Sequence, residues 1–181
     1  ERLRILDHPL VITPISFIEK GRHCFITQDF FDGVTLDKLI KAGVGIPLDT
    51  FFAIALKLTK ALEKIHEAGI IHGGIKPHNI LVNTDTLDIR VIDFISVLDV
   101  RDVSHFIYDI FFVRETLSYT SPEQTGRIGH RVVFSSDLYS LGVVFYELLT
   151  GRLPFLYSDP LELIHSHLAE EAPEIHKLNS D

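Results

Sequence analysis

Ile70-Ile71-His72-Gly73-Gly74-Ile75-Lys76-Pro77-His78-Asn79-Ile80-Leu81-Val82, followed a short turn later by Val91-Ile92-Asp93-Phe94-Ile95, decides how the rest of the chain is read. An apolar run enters a polar loop and leaves it through Ile80 to Val82, and a second β-branched run ends on one carboxylate. β-branched residues fit strands, and Asn83 to Asp88 supplies a polar turn between the two runs, so the stretch predicts a hairpin. Its loop gathers a cation (Lys76), an amide (Asn79) and a carboxylate (Asp93) on one side. A carboxylate and an amide at strand ends suit a hard, oxygen-seeking metal such as magnesium, and a lysine beside them suits a phosphate.

Composition narrows the field. The chain has 181 residues of which 46% are hydrophobic, enough for one domain with a substantial core. A net charge of −8 argues against nucleic acid or an anionic membrane surface as the main partner. Cys24 is the single cysteine, which rules out an internal disulfide and fits a reducing, cytoplasmic compartment. No apolar run is long enough to span a membrane, and no signal-peptide pattern opens the chain. His165-Ser166-His167 is the one tight pair among ten histidines. Helix neighbours two apart point to different sides, so no zinc site is expected there.

Working outward, residues 1 to 9 read as the end of a helix stopped by His8-Pro9. Two strand-like runs follow, Val11-Ile12 through Phe17 and Cys24 to Thr27, with Lys20-Gly21 as the turn. Gly33 to Ile40 predicts a short amphipathic helix. Asp49 or Thr50 then caps a long one whose apolar stripe is Phe51, Ile54, Ala55, Leu58, Ala61, Leu62 and Ile65, with Gly69 as its stop. Ser135 or Ser136 caps a further helix, apolar nearly all round from Leu138 to Leu149 and stopped by Gly151, which should be the buried centre of a helical layer. Asp137 near its start places a carboxylate at the positive end of the helix dipole. Asp159-Pro160 opens a last helix through Leu168, aspartate as cap and proline in the first turn.

The stretch quoted first resembles the catalytic loop and metal-binding motif of protein kinases, H-R-D-L-x-x-x-N followed by D-F-G. His72, Asn79, Asp93 and Phe94 match, and Lys76-Pro77 has the form usual in serine/threonine kinases. Gly73 stands where arginine is expected, Gly74 where the catalytic aspartate is expected, and Ile95 where the metal-loop glycine is expected. Glu115-Thr116-Leu117-Ser118-Tyr119-Thr120-Ser121-Pro122-Glu123 resembles the family's G-T-x-x-Y-x-x-P-E with Glu115 for the glycine, and Ser136 to Gly142 matches the family's central-helix pattern. The resemblance implies an α+β protein-kinase-like fold, mostly the helical C-lobe. Residues 1–30 would be the remainder of the N-lobe and hinge, 31–181 the C-lobe, in one domain truncated at both ends.

The same resemblance assigns roles. Lys76 and Asn79 would be catalytic-loop residues, and Asn79 and Asp93 the magnesium ligands. Gln28 would be the gatekeeper, with Asp29 to Phe31 as the hinge facing an adenine ring. His72, Phe94, Thr116, Glu123 and Asp137 would be structural, Asp137 anchoring the loop backbone. Glu123 would normally pair with an arginine of a later helix, expected beyond Asp181, which leaves its carboxylate unpaired here. ATP and magnesium are expected of a longer domain, not of these residues alone, because the glycine-rich phosphate loop is absent. Glycine at 74 can neither accept a substrate hydroxyl's proton nor orient it, which implies a pseudokinase with a regulatory or scaffolding role. The alternative is a divergent serine/threonine kinase in which another group replaces the base. Thr125-Gly126-Arg127, Thr150 to Phe155 and Asp159 to His167 look especially like kinase-like domains that precede AAA-type ATPase, GAF and histidine kinase regions, which would be the partners within one polypeptide.

Overall fold

The structure is a computed structural model that describes residues 6–41, 43–94, 98–99, 116–127 and 129–178. Two long helices form its centre. α1, Leu48–Glu67, buries Phe51, Ile54, Ala55, Leu58, Ala61, Leu62 and Ile65, the stripe that the sequence spacing predicts. α2, Phe134–Thr150, packs against it through Leu141, Val143, Val144 and Leu148, with Phe145 meeting Phe51 edge to face at 5.4 Å. Both start earlier than the caps read from the sequence. α1 begins directly after Pro47, so Asp49 sits inside the first turn, where a carboxylate still suits the dipole. α2 begins at Phe134, and Ser136 reaches back from the first turn to accept a hydrogen bond from the Val133 amide.

The strands sit around this pair as small antiparallel sheets. β1 (Ser16–Lys20) and β2 (His23–Thr27) make a hairpin turned at Gly21, which holds φ +66. The predicted first run begins at Val11, but Pro14 carries no N–H for a ladder. Regular pairing therefore starts only at Ser16, and Val11 instead forms a lone parallel bridge to Val91. β3 (Val34–Thr35), β5 (Ile80–Val82) and β6 (Ile89–Val91) form a three-stranded sheet in the order β3-β5-β6. The helix expected over Gly33 to Ile40 is a single 3₁₀ turn, Leu36–Lys38, that drops Leu36 fully into the core. β4 (Ile70–Ile71) pairs with β7 (Leu98–Asp99).

The hairpin predicted over the decisive stretch is β5–β6, and its turn is built by Asn83. That side chain accepts from the amides of Asp85 and Thr86 and donates to the Asp32 carbonyl. Lys57 of α1 then ties the turn to the helix through the Leu87 carbonyl and Asp88, both at 2.8 Å. α3, Pro160–Ala169, is capped as read: Asp159 accepts from the amides of Leu161 and Glu162. Residues 1–5 of the expected first helix, Ile95 and Glu115 lie outside the described residues. Mixed helix and strand content in separate layers makes this an α+β fold.

Candidate functional site

The loop between β4 and β5 is held mainly through its backbone, and Asp137 is the centre of that grip. Its carboxylate is 1% exposed. One oxygen accepts from the Gly73 amide at 2.8 Å, the other from the His72 amide at 2.9 Å and from His66 Nε2 at 2.8 Å. A carboxylate facing several N–H donors at the first turn of a helix is a strong arrangement. Gln124 adds a third tie to the loop, donating from Nε2 to the Gly73 carbonyl at 2.9 Å while its oxygen accepts from the Ser121 amide and hydroxyl. Gly73 itself holds φ +70, a twist that glycine takes without steric cost. The sequence reading did not find His66 or Gln124; both are ordinary polar residues whose partners are distant in the chain.

His72 is fully buried beneath the loop. Its ring lies 4.7 Å from the Phe94 ring, Nε2 is 3.0 Å from the Ile92 carbonyl, and Nδ1 accepts from the Gly74 amide at 3.2 Å. Burial lowers its pKa, against the opposing pull of Asp137. The neutral ring with its proton on Nε2 satisfies both neighbours.

At the far end of the loop, Asn79 donates from its side-chain Nδ2 to the Gly74 carbonyl at 2.8 Å, and its backbone carbonyl accepts from the Ile92 amide. That bond pairs Asn79 with Ile92, the residue before Asp93, at the end of the β5–β6 pair. Asp93 holds φ +67, uncommon for any residue but glycine, and its Oδ1 is buried without a hydrogen-bond partner. An orphaned buried carboxylate oxygen costs free energy unless a donor or cation meets it. The pair Asn79 and Asp93 therefore fits a small hard cation such as magnesium by donor chemistry.

Lys76 is buried and donates to the Thr116 hydroxyl at 3.1 Å, joining the loop to the segment 116–125. Beside Gly74, a cavity of about 10 Å³ is lined by Lys76, Thr116, Tyr119, Thr120 and Ser140. That is room for roughly one water. Tyr119 reaches past it to Glu147, whose carboxyl is pushed up by burial and partly restored by that hydroxyl.

Glu123 does not stand unpaired, as its expected arginine partner had suggested. The Ser136 hydroxyl donates to it, while Ser136 also steadies the start of α2. Gln28 and Asp29 are exposed at the end of β2, and Phe30 is 91% exposed. The Phe31 ring is taken up by Arg90, whose guanidinium carbon sits 4.6 Å above it. No group of three or more histidine, cysteine or acidic side chains is placed to hold a metal among the described residues.

The protein kinase domain model matches residues 1–180, and the chain belongs to that family. It is 33% identical to a probable serine/threonine-protein kinase of Clostridium perfringens over 92% of this chain and 24% of that one. It is 34% identical to a serine/threonine-protein kinase of Myxococcus xanthus over 94% of this chain and 20% of the relative. A hybrid signal transduction histidine kinase of Dictyostelium discoideum is 35% identical over 75% of this chain and 6% of its own length. The chain thus spans a quarter or less of these relatives. No described helix is long and apolar enough to cross a membrane.

Proposed function

We propose that this chain is a protein-kinase-fold signalling domain that has kept the loop and lost the base: a pseudokinase with a regulatory or scaffolding role inside a larger, cytoplasmic sensor protein. Gly74 carries the reading. Every backbone tie around it is made, yet the position that would accept the substrate proton has no side chain, and only a water-sized cavity adjoins it. Loss of one positioned general base costs about 10²–10⁴ in rate. The proposed setting, with AAA-type ATPase, GAF and histidine kinase regions in the same polypeptide, is supported by motif resemblance and by the kinship with a hybrid histidine kinase.

Asp93 and Asn79 favour retained magnesium and ATP binding in a longer domain, with Gln28, Asp29 and Phe31 on the adenine side. Lys76 and Thr116, still joined, favour the second reading, a divergent serine/threonine kinase with a substitute base. On either reading nucleotide binding needs a glycine-rich phosphate loop, a motif these 181 residues do not contain. The test therefore uses the longer polypeptide, titrating magnesium and ATP against thermal stability in wild type and Asp93→Ala, with autophosphorylation measured in parallel. Stabilisation that vanishes in Asp93→Ala, without phosphate transfer, is the expected result. Asp93-dependent transfer overturns the pseudokinase reading.

A further inference from the structure

Away from the loop, α3 is fastened by an apolar cluster of Leu117, Phe155 and Leu163 and by one histidine of its own last turn. His167 is 7% exposed. Its Nδ1 lies 2.7 Å from the Tyr139 hydroxyl of α2, and its ring packs edge to face against Phe155 at 5.1 Å. Its Nε2 is buried without a hydrogen-bond partner. We propose that His167 is an acid-sensitive latch: neutral, it holds α3 closed over Leu117 and Phe155, and protonated, it releases the helix.

The argument rests on donors and acceptors. A neutral ring can accept the Tyr139 proton at Nδ1. An imidazolium carries N–H on both nitrogens and needs two acceptors. At Nδ1 the tyrosine would have to turn its hydrogen away, and with Nε2 buried without a hydrogen-bond partner only the Leu117 backbone offsets the charged ring's burial. The groups facing the ring offer no compensating charge. Tyr139 on α2 keeps its proton, because burial and then Glu123 push it up to about 12. Glu123, on the 3₁₀ turn Pro122–Thr125, bears on Tyr139 and is itself held by Ser136. Leu117 and Phe155 are uncharged, and Glu162 and His165 on α3 are exposed.

Burial accordingly lowers the His167 pKa below its ordinary 6.5, with the Leu117 backbone opposing. The unfolded or released ring then binds protons more readily than the latched one. The latch is complete above pH about 6.5 and weakens as pH falls through the lowered value. Release reaches the loop, because Leu117 follows Thr116, which receives the Lys76 hydrogen bond.

Amide hydrogen exchange, corrected for intrinsic rates, reads this directly, with His167→Gln as the reference. Between pH 7.5 and 5.5 protection of residues 160–169 should fall by up to about tenfold, the limit set by pH 5.5 lying one unit below the ring's ordinary 6.5. In His167→Gln, whose amide still meets Tyr139 but cannot titrate, protection should stay constant. Equal protection at both pH values in wild type, or the same fall in His167→Gln, overturns the latch. If His167→Gln leaves α3 unprotected already at pH 7.5, the wild-type ring titration followed by NMR decides. A midpoint below 6.5 upholds the latch, and one at or above 6.5 refutes it.

Discussion

At the scale of single residues, Asp137 does more for the loop than any residue within it. Removing its buried carboxylate leaves the amides of His72 and Gly73 and the His66 ring without their acceptor. Asp137→Ala should therefore cost about 3–5 kcal/mol of unfolding free energy, read from urea denaturation. Gly74 behaves differently. Its backbone is outside the left-handed region, so an aspartate there is not barred by backbone strain. If the remaining catalytic groups are competent, Gly74→Asp in the longer polypeptide should raise phosphate transfer by about 10²–10⁴, measured with labelled ATP. No gain would place the defect elsewhere, with the strained Asp93 as the first suspect.

At the scale of elements, the two faces of α1 make opposite predictions. Leu58 is 1% exposed and Leu56 is 72% exposed. Leu58→Ala should cost about 2–5 kcal/mol, while Leu56→Ala should stay within about 0.5 kcal/mol, both read from denaturant midpoints. Gly151 ends α2 at φ +64, and a Cβ there would run into the Lys41 carbonyl and the Val44 amide. Gly151→Ala should cost about 2–3 kcal/mol. The stripe of α1 and the aspartate cap of α3 were legible because each depends on spacing within a few residues. The starts of α1 and α2 were not, because Pro47 and Val133 act through backbone geometry, which no polar side chain announces. Pro14 carried a readable signal against a strand beginning at Val11.

At the scale of the whole molecule, two buried histidines set a common response to acid. Burial lowers both His72 and His167 below 6.5, so the unfolded chain takes up protons that the folded one refuses. Their stabilising contribution is complete above pH about 6.5 and declines as pH falls through the lowered values. Urea midpoints at pH 7.5, 6.5 and 5.5 should drop in that order, with a shallower drop in His167→Gln. The fold and the loop were legible because motif residues such as His72, Phe94 and Asp137 recur in family order. The Glu123–Ser136 bond, the His66 and Gln124 ties and the Tyr139–His167 pair were hidden. Each joins residues that only the folded topology brings together.

Asp137 grips peptide amides, and every residue except proline carries one. The hold on the amides at 72 and 73 is thus independent of the side chain at 74. A lineage could discard the reactive group at 74 by drift and keep the scaffold intact. The same independence makes the loss reversible, since a new side chain would arrive in a frame already standing.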